Sequence, residues 1–155
     1  MGEKNRVSAT TEIVAPCDQV YAMVSDLARM AEWSPEAAGG KWFGQAAPGT
    51  LGAQFRGANA NGWRRWISIV TVTDATAPSR FAFRNHLGPT KFAEWIYEIK
   101  PTTSGCSVTE TWVDYRGAAV KVAGRILTGI ADREDHTRSM MATTLENLKK
   151  TAEAS

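Results

Sequence analysis

A chain of 155 residues with 18 basic and 16 acidic side chains, a formal net charge of +2 and 43% hydrophobic residues reads as one domain, 1-155, able to bury roughly 70% of the surface its unfolded form exposes. A core of that size needs neither a disulfide nor a metal, and interspersed acids and bases at a near-neutral total give no overall field that argues for nucleic acid or an anionic membrane. Met1 to Arg6 are polar and lead straight into a strand, Arg6 stands where a myristoylation signal needs Ser or Thr, and no apolar run approaches the roughly 18 residues that span a bilayer, so the chain reads as cytoplasmic, with no integral membrane association.

From Val7 to Val14 the chain is rich in Val, Thr and Ile until Ala15-Pro16 intervenes, which predicts a strand ended by a turn. Pro16 fits the first helical position, Asp18 complements the positive end of a helix, and Val20, Tyr21, Val24 and Leu27 recur at helical spacing; a short helix runs to about Ser25. Asp26 caps a second short helix, Leu27 to Glu32, which Trp33-Ser34-Pro35 breaks.

From Lys41 the pattern becomes that of six strands in series, punctuated at Gly39-Gly40, Pro48-Gly49, Asn61-Gly62, Ala77-Pro78, Gly88-Pro89 and Ser104-Gly105. Asn61-Gly62, between 53–60 and 63–73, predicts a tight hairpin on a type I′ turn, whose two central residues both need positive φ. Strands 79–86, 90–101 and 106–116 follow with short turns, as in an antiparallel meander. After Arg116 the helical period returns: Thr137, Met140, Met141, Thr144, Leu145, Leu148 and Ala152 share one face of a long terminal helix, with Glu146, Lys149, Lys150 and Glu153 on the other. Residues 117–129 read either as a helical approach or as a mobile lid, since Gly124 and Gly129 each cost a helix about 1 kcal/mol.

Alternation decides which side chains face inward. Glu94 and Glu98 mark the solvent face of 90–101, so Ala93, Trp95, Tyr97 and Ile99 point to the interior. On 106–116, Val108 and Trp112 share their parity with Glu110, and placing the larger apolar residues inside takes the carboxylate with them. Trp66, Ser68, Val70 and Val72 form a third inward set, Phe81 and Phe83 a fourth, and Phe55, Gly57 and Asn59 a fifth. A curved sheet over one helix leaves more space than the helix fills, so an apolar cavity is expected. The candidate ligand-binding residues are Trp33, Phe55, Asn59, Trp66, Phe83, Trp95, Tyr97, Glu110, Trp112, His136 and Met140. Plain core packing is the competing reading for each ring.

A buried Glu110 is costly unless it is paired or protonated. Arg64 has the inward parity of its strand and His136 sits beside the Met140 stripe, so either answers it. Three roles stay open: an ion pair that fixes register, a polar pocket end that binds a carbonyl or hydroxyl, or a proton carrier. Trp33 follows the second helix and is either a gate or a plug. His86 ends a strand before Leu87-Gly88-Pro89 and is expected at a solvated turn. Arg64-Arg65 beside Trp63 and Trp66 suggests base stacking, but alternation puts the arginines on opposite faces and the total charge is small, so no nucleic acid is expected. Cys17 and Cys106 have no His or Cys at ligand spacing and read as two reduced thiols; with no GxSxG, Walker, HExxH or dinucleotide motif, neither a metal nor a cofactor is expected and no catalytic residue is assigned.

Several stretches in order, Ile13-Val14-Ala15-Pro16, Val24-Ser25-Asp26, Glu32-Trp33-Ser34-Pro35, Arg64-Arg65-Trp66, Arg80-Phe81-Ala82-Phe83, Val108-Thr109-Glu110-Thr111-Trp112 and Thr144-Leu145-Glu146-Asn147-Leu148, carry a resemblance over nearly the whole chain. It resembles the START, polyketide-cyclase and hydrophobic-ligand-binding (SRPBCC) superfamily, in its bacterial polyketide cyclase/dehydrase-like branch. The resemblance implies an α+β helix-grip fold: a curved antiparallel sheet of about seven strands wrapped around a long C-terminal helix, with two short helices after strand one. It also implies a cavity opening near the small helices and strand loops. Such folds host carriers and enzymes alike. The sparse polar set here favours binding or carriage of a small hydrophobic molecule, a lipid, polyketide-like aromatic or isoprenoid, by a monomer or homodimer. The alternatives are a cyclase/dehydratase-type enzyme using Glu110 and His136, and a regulatory module for a protein partner.

Overall fold

The computed structural model describes residues 5–155, so the reading of Met1 to Lys4 lies outside the described residues. Strand β1 is Arg6–Ile13. Pro16 then occupies the N-cap of helix α1, Cys17–Val24, one position earlier than expected. Leu27–Glu32 is a 3-10 helix, and Asp26 stands at its N-cap without a side-chain capping bond. The remaining strands are β2 Ala37–Phe43, β3 Gln54–Asn61, β4 Arg64–Thr76, β5 Arg80–Leu87, β6 Thr90–Pro101 and β7 Cys106–Asp114. They form one antiparallel sheet in the order β1-β7-β6-β5-β4-β3-β2. Residues 118–128 are helical: α2 spans Ala118–Thr128 and ends at Gly129, whose φ of 73° closes it in the left-handed conformation. The terminal helix α3 is Arg133–Glu153, capped by the Asp132 carboxylate, which accepts from the Asp135 amide at 3.0 Å.

Two turns differ from expectation. The β3–β4 hairpin pairs Asn61 with Arg64, so its loop is Gly62-Trp63 rather than Asn61-Gly62. Only Gly62 has positive φ, 62°, and it stands at the first central position, where a type II′ turn places its glycine. Asn61 is held in the strand and spends its amide across the fold, donating to the Thr128 carbonyl at 2.9 Å. The Gly39-Gly40 pair, read as punctuation, lies inside β2 at a register shift. A Cβ on Gly40 would strike the Arg56 carbonyl and the Phe55 ring, so the glycine lets Phe55 swing across the strand.

The core lies between the concave face of the sheet and the helices. Met141, Leu145, Leu148 and Ala152 of α3 pack with Val7, Ile13, Val108, Val20 and Trp33, each fully buried aliphatic stabilising the fold by roughly 1.5–3 kcal/mol. Helix α3 rests chiefly on β1, with a minor contact to β7; α1 covers parts of β5 and β6, and α2 touches β4. The middle of the concave face is therefore roofed only partly. A smaller cluster, Ala82, Ile96 and Val113, occupies the opposite face.

Candidate functional site

Under that partial roof lies a cavity of about 450 Å³, within the range of small-molecule sites. Successive strands supply alternate residues to its wall: Phe55, Gly57 and Asn59 from β3, Trp66, Ser68 and Val70 from β4, Phe83 and Asn85 from β5, Ala93, Trp95 and Tyr97 from β6, and Glu110 and Trp112 from β7. Leu27 and Met30 of the 3-10 helix, Met140 of α3 and Val120, Ala123 and Leu127 of α2 complete it. Trp95 and Trp112 are direct cross-strand partners with ring centroids 6.4 Å apart.

Nine of the eleven residues singled out from sequence are therefore brought together: Phe55, Asn59, Trp66, Phe83, Trp95, Tyr97, Glu110, Trp112 and Met140. Trp33 and His136 are not among the lining residues. Trp33 is 2% exposed within the core, and its carbonyl accepts from the Asn147 amide at 3.1 Å. It packs in the core and does not border the cavity. His136 is half-buried on the first turn of α3. Arg133, just ahead of it, reaches the cavity border instead and pairs with Glu36 at 3.0 Å. Burial holds the His136 pKa below its ordinary value, with Glu36 opposing.

Glu110 finds a partner that alternation alone did not name. The Tyr97 hydroxyl donates to Glu110 Oε2 at 2.9 Å, while Oε1 is buried with no hydrogen-bond partner. The two residues face each other directly across the β6–β7 ladder. Counting back from the Pro101–Cys106 end of that hairpin would have paired them. Arg64, the other expected partner, turns away: it donates to the Ile126 carbonyl at 2.6 Å and lies over the Trp63 ring at 4.5 Å. Without a cation to stabilise the charge, burial pushes Glu110 up to about 8, against the downward pull of the phenol hydrogen bond. At neutral pH it is a carboxylic acid. Burial first, then Glu110, raises the Tyr97 phenol well above its ordinary value, so that group also stays protonated. With Oε2 accepting from Tyr97, the acid proton belongs on Oε1, and Glu110 becomes a hydrogen-bond donor set in an apolar wall.

Several other polar groups at the wall are paired. Asn59 donates to Ser68 Oγ at 2.8 Å, and the Arg116 guanidinium forks onto Asp114 at 2.8 and 2.9 Å. His86, half-buried near the end of β5, borders the cavity while its ring is held at the turn: Nδ1 donates to the Gly88 carbonyl at 3.0 Å and Nε2 meets Thr71 Oγ1 at 2.7 Å. Among the described residues no cluster of three or more His, Cys, Asp and Glu side chains could hold a metal. No described helix is long and apolar enough to cross a membrane.

A curved sheet with one long helix and a lined space beneath it defines the class: this is an α+β helix-grip protein of the SRPBCC superfamily. Residues 4–153 match the family described as polyketide cyclase / dehydrase and lipid transport, and the chain belongs to it. Among solved structures it is similar to a Polyketide_cyc-like protein from Corynebacterium glutamicum, at 26% identity and a TM-score of 0.54, covering 96% of this chain and 85% of that one. A START superfamily protein from Mycobacterium smegmatis is 19% identical with a TM-score of 0.65, covering 96% and 94%. The di-domain ARO/CYC BexL from the BE-7585A biosynthetic pathway is 17% identical with a TM-score of 0.72, over 97% of this chain and 50% of that one. Comparison with curated proteins finds no match.

Proposed function

We propose that the protein binds and carries a small hydrophobic molecule bearing one hydrogen-bond acceptor, a ketone, ester or ether oxygen, held at Glu110. The observation that carries the reading is the unpartnered oxygen, Oε1, of Glu110, a residue in the wall of a mainly apolar cavity. A neutral acid there welcomes an acceptor and disfavours a carboxylate ligand, whose charge would meet the same desolvation that keeps Glu110 protonated. The family description, which names lipid transport beside cyclase and dehydrase chemistry, supports a ligand of this class.

A cyclase or dehydratase is the second reading, and the raised Glu110 favours it, since a carboxylic acid poised near neutrality can lend a proton to a carbonyl. That role would fall to Glu110 with Tyr97, because His136 does not reach the cavity. Titration of a ketone-bearing aromatic ligand into the native protein, Glu110→Gln and Glu110→Leu separates the readings. Carriage predicts near-native affinity for Gln, which keeps a donor, and about tenfold or greater loss for Leu. Conversion of the ligand by the native protein and loss of turnover in Glu110→Gln at unchanged affinity would establish catalysis.

A further inference from the structure

Helix α2 is apolar on both sides. Of its residues only Thr128 is buried; Val122, Ile126 and Leu127 are 50%, 71% and 55% exposed. Leu127 belongs to the cavity wall, but Val122 and Ile126, one turn apart, do not. The tip of the β3–β4 hairpin is tied to the end of this helix by Asn61 and Arg64, which donate to the Thr128 and Ile126 carbonyls, and it presents Trp63 at 81% exposure. Leu87, also exposed, lines the cavity. Exposed aliphatic and indole side chains thus gather at the α2 side of the cavity.

Charge is segregated in the same place. The three segments that build this rim, 57–67, 84–93 and 115–131, contain no Asp or Glu, yet carry Arg64, Arg65, Arg84, Lys91, Arg116, Lys121 and Arg125. Arg84 and Arg116 pair with Glu94 and Asp114; the other five form no ion pair among the described residues. The near-neutral total of the chain conceals this local excess, since Glu36, Glu94 and Asp114, the acids beside these segments or at the cavity border, are each paired with an arginine. A short helix with exposed aliphatics and flanking cations, beside an exposed tryptophan, has the chemistry of a segment that lies in the headgroup layer of an anionic bilayer.

We propose that α2 and the β3–β4 hairpin tip dock the cavity mouth onto an anionic lipid surface. Unpaired cations meet the headgroups, Val122, Ile126 and Trp63 enter the interface, and the opening faces the acyl region, so an apolar ligand passes without exposing its surface to water. The surface stands on its own residues; its use for loading rests on the reading that the cavity holds an apolar ligand. Cosedimentation of the full chain with phosphatidylcholine vesicles, with and without phosphatidylserine, tests it. Binding is expected only with phosphatidylserine, weakened by salt, reduced about 30-fold by Lys121→Gln with Arg125→Gln, weakened by Ile126→Ser, and unchanged by Lys41→Gln with Lys100→Gln. No uptake, equal uptake by both vesicles, or uptake indifferent to the Lys121 and Arg125 changes overturns the proposal. Self-association of the free protein that Ile126→Ser abolishes would also overturn it and assign the face to a second copy. Titration with the neutral probe N-phenylnaphthylamine in the absence of vesicles reads the cavity separately, so docking and ligand binding fail independently.

Discussion

Tyr97 and Glu110 face each other across the β6–β7 ladder, and the phenol holds one carboxyl oxygen at 2.9 Å while the other has no partner. Two neutral acids thus meet in the wall of an apolar cavity. The arrangement sacrifices stability for a ligand-directed donor, since a buried acid unable to ionise is a penalty wherever water would ionise it.

Glu110 makes stability fall with rising pH. Its folded pKa is about 8 against an ordinary 4.5; between those values the unfolded chain has released a proton that the folded chain retains. Low pH therefore favours the folded state, the contribution declines from about 4.5 upward, and the full penalty, roughly 3–5 kcal/mol, is reached above about 8. Denaturant unfolding across that window should show the decline in the native protein and a much flatter profile in Glu110→Gln. Affinity for an acceptor-bearing ligand should fall above about 8, when the donor is lost.

Removing the phenol isolates the acid. Tyr97→Phe leaves both carboxyl oxygens without a protein partner and should destabilise the fold by about 1–3 kcal/mol. The Glu110 pKa should move higher still, because the Tyr97 hydrogen bond is what lowers it. Carbon NMR of the side-chain carboxyl reports the pKa, and denaturant unfolding the stability.

Trp33 should behave as core. Its 2% exposure and its absence from the cavity wall predict that Trp33→Ala costs about 3–5 kcal/mol while ligand exchange keeps its native rate. Faster exchange at unchanged melting temperature would instead make it a gate.

Gly40→Ala should be costly out of proportion to one methyl. The φ of 152° and the approach of the Arg56 carbonyl and Phe55 ring leave no place for a Cβ. A loss of about 1–3 kcal/mol, with a disturbed Phe55 ring in the NMR spectrum, is the expected outcome.

Much of this architecture is legible in the chain. Glu94 and Glu98 settle the facing of β6, the Met140 to Ala152 stripe gives α3, and the parity of Val108 and Trp112 carries Glu110 inward. What escapes is information that a single element does not contain. Helical period puts His136 beside Met140 but does not say that Arg133, three residues earlier, reaches the cavity border instead. Asn-Gly favours a type I′ turn locally, yet the Asn61 bond to Thr128 and the Asn59–Ser68 contact accompany a register one residue further on. Trp33 can be placed at an element boundary without revealing its depth. A net charge of +2 likewise averages away a rim with an excess of cations.

The central claim, an apolar ligand held by its acceptor at Glu110, is tested most directly by native mass spectrometry of the protein purified from its own host, followed by denaturing extraction of any released molecule. The account predicts a discrete bound mass that fits about 450 Å³ and an extracted compound that is hydrophobic and bears an uncharged oxygen acceptor, with occupancy lost in Glu110→Leu. A protein that stays empty after exposure to lipid and polyketide extracts, or a ligand retained unchanged by Glu110→Leu, would contradict it.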